Sequence, residues 1–69
     1  MNCEIIFVVG DSIDSDLEAR ALGHSIYTEA DTIEKLRTMV RDAVACHFDD
    51  DDRPSVIRLH FVRDEVLAA

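Results

Sequence analysis

Apolar residues in this chain occur first as a nearly unbroken run, then in alternation, then at helical spacing, and finally in alternation again. Residues 3–9, CEIIFVV, are rich in β-branched and aromatic side chains and stop at Gly10-Asp11-Ser12. That composition predicts a strand, and its continuity predicts a central one covered on both faces. After the turn-rich GDSIDSD, residues 17–23 place Leu17, Ala19 and Ala21 on one side and Glu18 and Arg20 on the other, as a half-buried strand does. Gly23 supplies a tight turn into a third short strand, HSIYTE, at residues 24–29. In DTIEKLRTMVRDAVACHF the period changes. Ile33, Leu36, Val40, Ala43, Val44 and His47 fall in one sector at about 100° per residue, with Glu34, Thr38 and Asp42 opposite. Asp31 and Glu34 form a D-x-x-E capping box for a helix running to about Phe48. Finally SVIRLHFVRD alternates, with Ile57, Leu59 and Phe61 on one face and Val56, Arg58, His60 and Val62 on the other.

The predicted order is β-β-β-α-β within one small α+β domain spanning residues 1–69. Short connections followed by one crossover give a mostly antiparallel sheet with the helix on one face. A chain of this length buries only about 60% of the surface its unfolded form exposes, so its stability margin is small. One helix covers one side of the sheet. The opposite side carries Val56 and Val62 mixed with Arg58 and His60, a half-apolar surface that predicts a dimer or a dedicated partner.

Charge narrows the choice of partner. Fifteen acids against seven bases leave a formal charge of −8, which repels a nucleic-acid backbone and favours a basic protein. Half of that charge sits in one run, Asp49, Asp50, Asp51 and Asp52, between the end of the helix and Arg53-Pro54. The run is expected to be a loop first and a contact surface second. No apolar run approaches the ~20 residues that cross a bilayer, and the opening MNCEIIFVVGD has neither a basic leader nor a cleavage site, so the expected compartment is the cytoplasm. Cys3 and Cys46 form no CxxC pair and read as free thiols.

No chemistry-bearing motif stands out. His47 with the four aspartates mixes nitrogen and oxygen ligands, but an extended run points its side chains to alternate sides and no glycine completes a calcium loop. Ser12, Ser15 and Ser25 lack a nucleophile elbow. Cys46 and His47 are about 100° apart on the helix and do not face each other. With only Gly10 and Gly23, no glycine-rich phosphate loop is present. The expectation is a protein without catalytic residues, metal or cofactor.

Leu22-Gly23 at a strand end, Asp31-Thr32-Ile33-Glu34 at the start of the helix and Asp42-Ala43-Val44 near its close resemble the N-terminal domain of the HicB family, antitoxins of toxin–antitoxin pairs. The likeness runs from Ala19 to Val44 and agrees with the family in the order of its elements. Ala21, Ala30 and Asp16-Leu17 depart from the family's usual proline, glycine and Gly-Tyr. The resemblance implies a partial RNase H-like fold and a role in neutralising a small basic HicA-like toxin, an mRNA interferase. Such antitoxins usually carry a C-terminal DNA-binding domain. Few residues follow the last strand here, so protein binding rather than direct DNA binding is expected. An RNase H-like topology also raises two-metal nuclease chemistry, but the strand acids Glu4, Glu18 and Glu29 show no convergence. The candidate partner-binding residues are therefore Asp49, Asp50, Asp51, Asp52, Val56, Arg58, His60 and Val62. A competing expectation is a stand-alone small enzyme or ligand-binding protein acting at a dimer-interface cleft.

Overall fold

A computed structural model describes residues 4–11, 16–63 and 67–69. Cys3, Ser12 and Ser15, considered above, lie outside the described residues. The elements are β1 (Glu4–Gly10), β2 (Leu17–Ala21), β3 (Tyr27–Ala30), α1 (Ile33–His47) and β4 (Val56–Phe61). They form one four-stranded sheet of order β3-β2-β1-β4, antiparallel except for the parallel β1–β4 pair. This is the expected β-β-β-α-β arrangement of the α+β class. Because α1 links β3 on one edge to β4 on the other, its connection must pass across the sheet.

Alternation along β1 sends Ile5, Phe7 and Val9 into the core, where they meet Ala19 and Ala21 of β2 and Leu36, Val40 and Val44 of α1. Small alanines on β2 let the helix sit close. Leu36 is completely buried, and burying a side chain of that size contributes about 1.5–3 kcal/mol. On the other side of β1, Ile6 and Val8 stay half-buried. The single chain thus covers β1 on one face only, contrary to the two-sided cover that its continuous apolar run predicts.

The third strand starts later than predicted. Gly23 adopts φ 79°, a left-handed conformation that glycine adopts without steric cost, and Ala21 N–H donates to Ile26 O at 3.0 Å. Residues 22–25 are consumed by this turn, so pairing resumes only at Tyr27.

The helix cap also shifts by one residue. Thr32 is the N-cap, in extended conformation, and its Oγ1 accepts from the Lys35 N–H at 3.1 Å. Asp31 lies outside the helix and pairs with Lys35 Nζ at 3.2 Å. Two ends of the predicted apolar stripe are corrected. Ile33, in the first turn, is 42% exposed, and His47 is exposed at the last turn. Its place is taken by Phe48, which leaves the helix in extended conformation and packs against the core.

Candidate functional site

The helix lies over β3 and β2, and the opposite face of the sheet has no cover among the described residues. Strand register assembles that face in rows. His60, Val8, Arg20 and Tyr27 line up across all four strands, and Gly10, Glu18 and Glu29 form the next row. Ile6 pairs with Arg58 on one side and accepts from the Leu22 N–H on the other, at 2.9 Å. At one end of the face Glu4 stands beside Val56.

Between these rows lies a groove of about 480 Å³, lined by Val8, Gly10, Asp11, Glu18, Arg20, Leu22 and Val62. Gly10 matters here because strand alternation puts its missing side chain on this face. A Cβ at Gly10 would meet nothing closer than Val62 O at 3.9 Å. The glycine therefore leaves open space on this face and no backbone crowds it.

The polar groups on this face are organised. Tyr27 Oη donates to Glu18 Oε2 at 2.8 Å, and the Arg20 guanidinium carbon lies 5.8 Å from the centroid of the Tyr27 ring, within cation–π range. The hydrogen bond to the Glu18 carboxylate, with Glu18 and Glu29 as nearby negative charges, pushes the Tyr27 hydroxyl up to about 12. Arg58 binds Glu4 through two nitrogens, Nε to Oε1 and Nη2 to Oε2, the latter at 3.3 Å. That guanidinium holds the Glu4 carboxyl below its ordinary value, and the carboxylate raises Arg58 in turn.

Val56, Arg58, His60 and Val62 all fall on or beside this open face and are exposed. Val62 continues the pairing beyond β4, donating to Val9 O at 2.8 Å. Asp49, Asp50, Asp51 and Asp52 form an exposed turn closed by the Asp52 N–H on Asp49 O at 3.0 Å. Arg53 ties that turn to the helix end, pairing with Asp50 at 3.0 Å and donating to Ala45 O at 3.5 Å. The turn leads into the Val56 end of β4. Val62, six residues further along, is about 20 Å away at strand rise. The acidic turn therefore flanks one end of the face while the groove occupies the other.

Arg20, Glu18, Tyr27 and Leu22 were not singled out from the sequence as partner-binding residues. Alternation marks Glu18 and Arg20 as pointing away from the core, but only the β1–β2 and β2–β3 registers place them beside Val8 and Tyr27. At the C-terminal end of the helix, His24, His47 and Phe48 form an aromatic cluster with ring centroids 4.9–5.9 Å apart. Among the described residues no three His, Cys, Asp or Glu side chains are grouped to hold a metal ion, and no helix is long and apolar enough to cross a membrane.

The chain is similar to two proteins named UPF0150 protein. One, from Archaeoglobus fulgidus, is 50% identical over 52 residues, covering 75% of this chain and 77% of the relative. The other, from Thermotoga maritima, is 38% identical over 65 residues, covering 94% and 91%. No family model matches the chain, and no solved structure matches it.

Proposed function

The chain belongs to the UPF0150 family, and from that premise we propose that it is a non-catalytic protein-binding module whose helix-free sheet face holds a small basic partner. The observation that carries this reading is the composition of that face. Ile6, Val8, Leu22, Val56 and Val62 supply apolar surface, while Glu18 and Glu29 give it acidic relief. A partially apolar, uncovered face on so small a domain is a recognised mark of an interaction site. The net charge of −8, half of it in Asp49–Asp52, speeds encounter with a basic protein more than it tightens the complex. The resemblance to HicB antitoxins supplies the partner class: a small basic HicA-like toxin, neutralised by being held against this face.

The test is capture from the native host with the chain itself and with Gly10→Leu as bait. Leucine at Gly10 fills the groove from a position where nothing crowds its Cβ, so the fold should persist. A stoichiometric small basic protein that is retained by the unaltered chain and lost with Gly10→Leu supports the reading. Recovery of the chain alone overturns it. A second reading, a small ligand in the same groove, is favoured by the volume of about 480 Å³, within the range of small-molecule sites. Native mass spectrometry of the purified chain separates the two, because a retained small molecule would appear as a defined mass increment absent from Gly10→Leu.

A further inference from the structure

The outer edge of β4 is a separate feature that the partner reading does not use. Among the described residues β4 pairs only with β1, so one side of its backbone has no strand beside it. Val62 donates to Val9 O across the inner edge. Backbone groups alternate in direction along a strand, so the even-numbered residues of β4 face β1. Ile57, Leu59 and Phe61 therefore turn their N–H and C=O groups outward, the condition for pairing with another chain. Natural edge strands are blunted by short length, proline, bulges or inward-pointing charges. β4 has six residues, and Pro54 precedes it rather than interrupting it.

The side chains of the same three residues are also incompletely covered. Because α1 lies over β3 and β2, it leaves Ile57 and Leu59 half-buried and Phe61 51% exposed on the helix side of the sheet. A groove of about 200 Å³ runs between α1 and β4, floored by Ile57 and Leu59 and flanked by Arg37 and Arg41. The apolar strand edge thus lies beside basic side chains and away from the Asp49–Asp52 turn that carries half the net charge.

We infer that the occupant of this edge is a second copy of the same chain, its β4 paired antiparallel to the first about a two-fold axis at Leu59. The order of side chains selects this occupant and this register. Around Leu59, Ile57 lies opposite the partner's Phe61, Leu59 opposite Leu59, and Val56 opposite Val62. Apolar residues meet apolar residues on both faces. The remaining pair is Arg58 opposite His60, and Arg58 is already neutralised by Glu4. Centring on Arg58 would oppose two arginines, and centring on His60 would set Ile57 against Arg63. A shift by one residue would exchange the two faces of the sheet, which a continuous sheet forbids. Antiparallel pairing also brings the Asp49–Asp52 turn of each copy toward Arg63 of the other. The contact is isologous and closes on itself, so it ends at a dimer with one eight-stranded sheet. It leaves the helix-free face open in both copies, so the inference stands whether or not that face binds a basic partner.

Sedimentation of the unmodified chain at concentrations up to about 100 μM should give twice its 7.8 kDa mass. Geometry is read by cross-linking in a Cys3→Ser, Cys46→Ser background. Arg58 and the partner's His60 form a non-hydrogen-bonded pair with Cα atoms about 4.5 Å apart, within disulfide reach. Arg58→Cys with His60→Cys should convert most of the protein to a covalent dimer on diamide oxidation, while either substitution alone should not. Both positions are exposed, so folding is preserved. A monomer throughout the concentration range overturns the inference. So does a dimer in which a single cysteine cross-links as readily as the pair, or in which the pair does not cross-link.

Discussion

The Tyr27 hydroxyl donates to Glu18 at 2.8 Å, so ionising it would set two anions against each other with Glu29 nearby. Its titration, followed by phenolate absorbance, should have its midpoint near 12, and Glu18→Gln should return it toward 10.0. A folded value raised above the unfolded one contributes stability that is fully present below pH 10 and lost as pH rises toward 12. The unaltered chain should therefore lose more stability across that window than Glu18→Gln does. The aspartate turn behaves differently. Asp50 pairs with Arg53 while 90% exposed, and exposed pairs contribute about 0–1 kcal/mol. Carboxylates just past a helix C-terminus oppose its dipole by a similar amount. Replacing Asp49–Asp52 with Asn and Ser should leave stability unchanged or raise it by up to about 1 kcal/mol, measured by urea denaturation. A loss of several kcal/mol would mean that the turn binds an ion. If the turn acts by attraction, the same variant should bind a basic partner with a slower association rate and a weaker salt dependence.

Among the elements, α1 and β1 are the most legible from sequence, because Leu36, Val40 and Val44 keep helical spacing and Ile5, Phe7 and Val9 keep strand alternation into the core. The errors occur where one element ends and another begins. Phe48 is the aromatic that closes the core, yet it lies off the helical stripe because the chain is no longer helical there. Phe61 keeps its predicted side of β4, but no local pattern reveals that the helix leans toward β3. The open face was legible from the alternation of Val56, Arg58, His60 and Val62. The groove was not, since it depends on Gly10 and Arg20 being brought together by strand register. The cap offers a direct test at this scale. Thr32, not Asp31, accepts from the first-turn N–H, so Thr32→Ala should cost about 1 kcal/mol. Asp31→Ala removes only an exposed ion pair and should cost less than about 0.5 kcal/mol. Thermal unfolding of the two variants side by side decides it, and the reverse ranking would return the cap to Asp31.

At the scale of the whole molecule, a net charge of −8 is held within a radius of gyration of 13.4 Å. Two unit charges about 20 Å apart in water repel by about 0.2 kcal/mol. Summed over the excess acids, and less the part retained in the more expanded unfolded chain, this opposes folding by on the order of 1 kcal/mol. The ion pairs Lys35–Asp31, Arg53–Asp50 and Arg58–Glu4 favour folding but are exposed, so each contributes little. The net repulsion should prevail. At about 0.01 M salt the Debye length is about 30 Å and every acid senses the others, whereas at 0.15 M it is about 8 Å. Raising salt across that range should therefore raise the melting temperature by roughly 4–8 °C, the shift that 1 kcal/mol produces in a domain of this size. Pairing two copies along β4 brings together two bodies of the same sign, so the dimer's dissociation constant should fall over the same range. A melting temperature that falls with salt would show that specific pairs, and not net charge, dominate the electrostatics of the fold. A dimer that loosens with salt would show that its interface is held by opposite charges, the Asp49–Asp52 turn against Arg63, more than by Ile57, Leu59 and Phe61.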